Sequence, residues 1–333
     1  MNNKKKKLIE YFVISLAIIV IFVSFLTILY FHSFERDNFE LGVNFSNKYA
    51  EYLGLDWQDS YLAILDELQV KYIRLAAPWN EIEPEKDFYA FAALDWQIEQ
   101  ADKRGVDIIL AIGRRTPHWP ECHDPEWIKG LADEVVVTQQ LEMMGKVIER
   151  YQSYDSIKIL QVENEPLLDA FGECPPADLN LLRKEVAYVK TLDDRPILIT
   201  DSGELSLWLA AANTADYFGT TMYRVTYNDV WGYAFYHLPP LFYNWKAVLA
   251  GVDPSEVYVS ELQAEPWAPS GLLNTPLEEQ KISMDAHRLI SHVQYAKRTG
   301  FKGAYLWGAE WWYWLKVKKG DSSLWDTAQY IFK

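Results

Sequence analysis

The sequence is short of positive charge: 32 Lys and Arg face 47 Asp and Glu, for a formal net charge of −15. The first 32 residues hold four lysines and one acid, so the rest of the chain carries 28 basic and 46 acidic residues, a formal −18. Such a surface repels phosphate backbones, which argues against nucleic acid as a partner. Neither G-x-G-x-x-G nor G-x-x-x-x-G-K-[ST] occurs, so the phosphate-cradling loops of nucleotide-binding doubly wound sheets are missing. H-E-x-x-H and paired C-x-x-C are missing too, which leaves a metal site without its usual spacing. There is no low-complexity segment, no repeat of solenoid period and no Pro/Gly/Ser linker, so the body of the chain reads as one domain.

Apolar and aromatic residues are abundant by contrast. Half of the residues are hydrophobic, enough for a sizeable core. Fourteen Trp and 21 Tyr exceed what a core alone needs. The N-terminus is a separate object, with a cationic block from Lys4 to Lys7 and then 21 residues, 11–31, without a charge. That run is long enough to cross a hydrocarbon layer of ~30 Å as a helix. It exceeds the apolar region of a cleavable leader, and no A-x-A-like site follows. The expected division is therefore a cytoplasmic tail and transmembrane signal anchor over 1–32, with an extracytoplasmic domain over 33–333.

Within that domain, strand and helix patterns alternate. Strands are predicted over 41–45, 71–76, 106–112, 157–165, 196–200, 215–223, 257–261 and 303–307. Helices are predicted over 60–69, 90–104, 135–151, 177–192, 205–212, 242–250, 276–298 and 324–331. Eight β-then-α units in about this length predict an α/β fold of the (β/α)8 barrel type, with a doubly wound sheet as the alternative.

The fourth strand, I-K-I-L-Q-V, runs into Glu163, Asn164, Glu165 and Pro166. Proline cannot join a sheet ladder and biases the preceding residue toward extended geometry, so Glu165 is expected at the strand's C-terminal tip. The seventh strand, V-Y-V-S-E, ends in Glu261. Two carboxylates on strand tips meet the requirement of glycoside hydrolysis for one protonated acid and one ionised nucleophile. Asn164, Arg74, Tyr223, Trp307, Trp119 and Trp267 lie after or on the same strand ends. Indoles there can stack on the apolar faces of sugar rings. Cys122 and Cys174 fall on adjacent loops and are candidates for a disulfide. A metal set of Cys122, His123 and Cys174 is a weaker alternative. His287 and His292 are read as surface residues.

N-E-P closing the fourth strand, in register with Arg74, Tyr223, Glu261 and Trp307, resembles the (β/α)8 clan of retaining glycoside hydrolases. That clan includes the family 5 cellulases and the family 42 β-galactosidases, and the resemblance spans roughly residues 40–315. It implies Glu165 as acid/base, Glu261 as nucleophile and Asn164 at the sugar 2-hydroxyl. It further implies Arg74 and Tyr223 beside the nucleophile, Trp307 as an aromatic floor, a carbohydrate substrate and no cofactor. The stretch after Glu261, L-Q-A-E-P-W, departs from the E-x-G of the cellulases and leaves the substrate open. Glu265 is a rival for the nucleophile, and Glu163 is expected to make structural hydrogen bonds. Transglycosylation by the same residues, or a glycan-binding barrel without turnover, are the functional alternatives.

Overall fold

The computed structural model describes the backbone of residues 3–31 and 33–333, with side chains 1–10, 25, 26 and 28–32 outside the description. Eight parallel strands close into a barrel: β1 (Glu40–Asn44), β2 (Tyr72–Ala76), β3 (Asp107–Ile112), β4 (Ile157–Val162), β5 (Ile197–Asp201), β6 (Tyr217–Met222), β9 (Val257–Gln263) and β10 (Gly303–Trp307). A hairpin of β7 (Val225–Asn228) and β8 (Gly232–Phe235) stands apart from it. The barrel closes through β1 against both β2 and β10, so the (β/α)8 expectation holds and the doubly wound alternative does not.

The interior is layered. Ile109, Ile159, Leu198, Tyr258 and Tyr305 plug its lower end with apolar bulk. Above them Arg74 and Gln161 form a buried polar layer beneath the C-terminal rim. The larger apolar core lies between strands and helices, where Val43, Ile73, Leu110 and Val257 meet Ile64, Ile98, Val147 and Leu289. Parallel strands covered on both faces need this near-continuous apolar content.

One irregularity aims a key side chain. In β9, Val259 pairs with Thr220 of β6 and Ala304 of β10, but Glu261 pairs with Thr221, and Leu262 with Leu306. The strand therefore carries an extra residue near Ser260. Val257 and Val259 face the helices before the bulge, while Leu262 and Ala264 do so after it. The bulge thus flips the alternation and turns Glu261 toward the barrel mouth.

Several local expectations give way. No helix forms over 205–212: the Ser202 carbonyl accepts from Trp208 Nε1 at 2.7 Å, and Trp208 takes a left-handed φ of 67°. The long helix expected over 276–298 is two, Leu277–Ser283 and Ala286–Lys297, because Asp285 caps the second by accepting from Arg288 N. His292 is buried, with Nδ1 2.8 Å from the Gln263 carbonyl, whereas His287 is exposed. At the N-terminus, Asn3–Phe31 is one continuous helix. Among the described residues no helix is long and apolar enough to cross a membrane. The transmembrane span expected over 11–31 is therefore not supported, and part of it lies outside the described side chains.

Candidate active site

The expected residues converge at the C-terminal rim. Asn44 on β1 and Arg74 on β2 are register neighbours, so their side chains share one buried level. Arg74 is 1% exposed and spends its guanidinium on four side chains and, more distantly, the Ser260 carbonyl. Its Nε donates to Gln161 Oε1 at 2.7 Å, Nη1 to Asn44 Oδ1 at 2.8 Å and to Glu261 Oε1 at 3.1 Å, and Nη2 to Asn164 Oδ1 at 2.7 Å. The Tyr223 hydroxyl donates to the other Glu261 oxygen at 2.9 Å. A carboxylate served by a fixed cation and a phenol is well suited to carry negative charge.

Glu165 meets the opposite environment. It is buried and, among the described residues, takes a single donor (Thr221 Oγ1 at 3.2 Å) and has no cation within salt-bridge range. Burial, then the nearby negative charges of Glu261 and Glu121, hold its carboxyl well above the usual range. Two buried carboxylates in contrasting surroundings are how one pocket supplies both an acid and an anion. Both line a cavity of about 550 Å³ together with Trp119, Trp267, Trp307 and Tyr223. An adjoining cavity of about 640 Å³ shares Trp119 and Trp307 and reaches over Asn80 and Glu81.

The turn after β4 differs from the extended tip expected of a residue before proline. The strand ends at Val162, and both Glu163 and Glu165 take left-handed φ values, 62° and 46°. Neighbouring strand ends impose this shape. Asn164 N donates to the Arg115 carbonyl at 2.7 Å, and Glu165 N to Thr200 Oγ1 at 2.9 Å. Glu163 points away from the cavity and clamps the loop after β3, accepting from Arg114 N, Arg115 N and Gln140 Nε2 at 2.6–2.8 Å. Gly113 makes room for that clamp, since a Cβ there would fall 2.2 Å from Glu163 Oε1.

Other expected residues fall into place or out of it. Asn164 lines neither cavity, and its Nδ2 donates to Glu121 Oε2 at 3.0 Å. Glu265 contacts no cation among the described residues; it accepts from Tyr49 OH at 2.7 Å and Trp307 Nε1 at 3.0 Å, and burial pushes it up to about 8. The arginine therefore serves Glu261, not its rival. Trp267 packs edge-on to Tyr223, and Trp119 is largely exposed at the mouth. Trp311, Trp312 and Trp314 are buried behind the rim and line neither cavity. Cys122 and Cys174 are joined as a disulfide, which rules out the metal set with His123.

Two residues were not singled out from the sequence. His118 sits 4.1 Å from Trp307, centroid to centroid, and burial lowers it to about 3, so it is neutral. Glu121 lines the cavity beside Glu165, with Arg115 Nε 3.7 Å away, and burial plus the charge of Glu261 raises it to about 7. An acid in the loop after β3 was the only signal, and the neighbouring cysteine drew the reading toward disulfide and metal.

Residues 55–178 match the glycoside hydrolase family 42 model, described as β-galactosidase. No curated protein matches by sequence. Among solved structures, a glycoside hydrolase family 5 subfamily 18 protein from Bifidobacterium longum aligns with TM-score 0.57 and 15% identity, over 81% of this chain and 70% of that one. Xylanase 10B from Thermotoga petrophila gives 0.54 and 17%, over 81% and 82%. A β-galactosidase from Halorubrum lacusprofundi gives 0.54 and 14%, over 88% of this chain but 58% of its own. At such identities these three share the barrel, and the matched segment adds a family signature; together they support a glycosidase. The chain thus resembles, by a direct match over 55–178 and by its barrel beyond it, the (β/α)8 clan of glycoside hydrolases that includes family 42.

Proposed function

We propose that this protein is a retaining β-glycosidase acting on an oligo- or polysaccharide, with Glu165 as acid/base and Glu261 as nucleophile. The observation that carries this reading is the electrostatic contrast within one cavity: Glu261 takes Arg74 and Tyr223, while buried Glu165 takes neither a cation nor a second donor among the described residues. In the first step Glu261 attacks the anomeric carbon as Glu165 gives its proton to the departing glycosidic oxygen. That leaves a glycosyl ester on Glu261 and an ionised Glu165. Glu165 then takes a proton from water, whose oxygen attacks the same carbon and frees Glu261. Each carboxyl ends the cycle as it began. An acceptor sugar in place of water gives transglycosylation by the same residues, and product analysis with acceptor present separates the two.

The reading includes the site of action. Lys4–Lys7 before an uncharged run suit a cytoplasmic tail and a membrane anchor, and the Cys122–Cys174 disulfide suits an oxidising, extracytoplasmic compartment. The decisive experiment is incubation with 2-fluoro glycosyl fluorides of several configurations, followed by peptide mass mapping. A label on Glu261 is expected, and its configuration names the preferred sugar. A label on Glu265, or hydrolysis that survives Glu261→Gln, would overturn the assignment.

A further inference from the structure

The helix Pro240–Ala250 is apolar on both faces. Leu241, Tyr243 and Ala247 pack inward, while Phe242, Trp245, Val248 and Leu249 point to solvent, with Leu249 80% exposed. A helix apolar all round belongs in an apolar medium, and here the side chains of one face stay exposed. The segment that follows β5 packs against this helix, since Tyr243 OH donates to Glu204 and Asn213 Nδ2 donates to the Ala250 carbonyl. It adds Leu205, Leu207 and Leu209, each at least 60% exposed. The charges of the two segments turn inward. Lys246 Nζ donates to the Gly203 carbonyl at 2.6 Å and lies 4.2 Å above the Trp208 ring, and Glu204 is held by Tyr243. The barrel therefore presents an uncharged apolar flank well beyond the scattered exposed leucines of an ordinary surface.

The chain itself indicates what covers it. The N-terminal helix Asn3–Phe31 touches the helix Pro240–Ala250, and its side chains 11–24 are exposed and uncharged. Two adjoining surfaces that both expose apolar side chains call for one apolar medium. We infer that the flank formed by Leu205, Leu207, Leu209, Trp245, Val248 and Leu249 docks on the lipid bilayer that receives the N-terminal helix. The barrel then lies on its side at the membrane surface. Its formal charge of −18 offers no attraction to anionic lipid, so docking is driven by apolar burial and is insensitive to salt. Leu205 also lines the catalytic cavity, which brings the cavity mouth close to the membrane plane.

This inference rests on the membrane-anchor part of the proposed function, and the test separates the two. Both native cysteines are paired, so a single introduced cysteine can be labelled in the full chain. Leu249→Cys or Val248→Cys reports the flank, Ile18→Cys the anchor, and Lys103→Cys an exposed site on the helix after β2. Each carries an environment-sensitive nitrobenzoxadiazole in zwitterionic vesicles made with or without acyl-brominated lipid. Blue-shifted emission and strong bromine quenching at 249, 248 and 18, with neither at 103, are expected, unchanged by added salt. Quenching at 18 without quenching at 248 or 249 overturns the docking and leaves the anchor. No quenching at any position overturns both. A blue shift at 249 that grows with protein density but resists bromine shows a second copy on the flank, and overturns lipid docking.

Discussion

At the scale of single residues, the site turns on how differently two glutamates are surrounded. Glu261 accepts from Arg74 and Tyr223, so Glu261→Gln keeps the shape but removes the nucleophile; kcat is expected to fall by about 10⁴-fold or more on every glycoside. Glu165→Gln should separate by leaving group. For an alkyl or sugar leaving group the loss is on the order of 10²–10⁴-fold, the worth of general acid catalysis. For a dinitrophenyl glycoside, which needs no proton to depart, the first step stays fast and glycosyl-enzyme accumulates as a burst. An equal loss with both substrates would remove Glu165 from the acid role. Glu121 tests the electrostatics from outside the pair. Glu121→Gln retains an oxygen for Asn164 Nδ2 but deletes a negative charge that helps raise Glu165. The basic limb of the kcat/KM profile should therefore move to lower pH. A limb that stays in place would mean that burial and Glu261 alone set the acid.

At the scale of elements, the loop after β3 is held twice, and each hold is testable. The disulfide closes a sequence separation of 52 residues and fixes Glu121 through its neighbour Cys122. Reduction should cost about 2–4 kcal/mol of stability in denaturant titrations. It should also lower kcat/KM beyond any loss in a variant lacking Glu121; an equal loss in both backgrounds would uncouple the bridge from the acid. The second hold is Glu163 under Gly113, whose φ is 127°. Gly113→Ala clashes with the carboxylate and strains the backbone, so a loss of about 2–4 kcal/mol is expected by thermal melts. These features also mark where the sequence was legible. Apolar runs such as V-Y-V and I-I-L-A-I, each followed by polar residues, announced the barrel strands and placed both acids on the rim. Alternation alone, however, puts Glu261 on the same face as Val257 and Val259, toward the helices. Only the bulge at Ser260, a matter of pairing with β6 and β10, reverses it. The left-handed Glu163 and Glu165 were hidden for the same reason: their conformations are imposed by Thr200 on β5 and Arg115 in the loop after β3, and a local proline rule cannot see those partners. The hairpin of β7 and β8 was not legible because its strands are four residues each and pair with one another outside the alternation of strand and helix that marks the barrel.

At the scale of the molecule, the rim concentrates buried acids, and folding stability must follow pH accordingly. Burial raises Glu121, Glu163, Glu204 and Glu310 to about 7 and Glu265 to about 8. For each, the folded state holds its proton to higher pH than the unfolded chain. Between about 4.5 and 7–8 the folded state therefore binds more protons, and stability falls as pH rises through that window. Half-buried His118 and buried His292 act the other way. Lowered to about 3 and about 4, they stay neutral while the unfolded chain protonates, so stability falls as pH drops below about 6.5. Glu165 and Glu185 are raised as well and His123 is lowered, so the raised acids outnumber the lowered histidines; the optimum should lie near pH 5, and Tm should be on the order of 5–10 °C lower at pH 8 than at pH 5.5. Glu310 isolates the cause. It is buried behind the rim, accepts from Ser46 N at 2.6 Å and lines neither cavity. Glu310→Gln leaves an oxygen for that amide and cannot ionise, so it should raise Tm at pH 8 and leave it nearly unchanged at pH 5, flattening the alkaline side of the profile. Melting curves of both proteins from pH 4 to 9 decide it: an equal shift at every pH would trace the effect to packing, and a wild-type optimum above pH 7 would show that the buried acids do not govern stability.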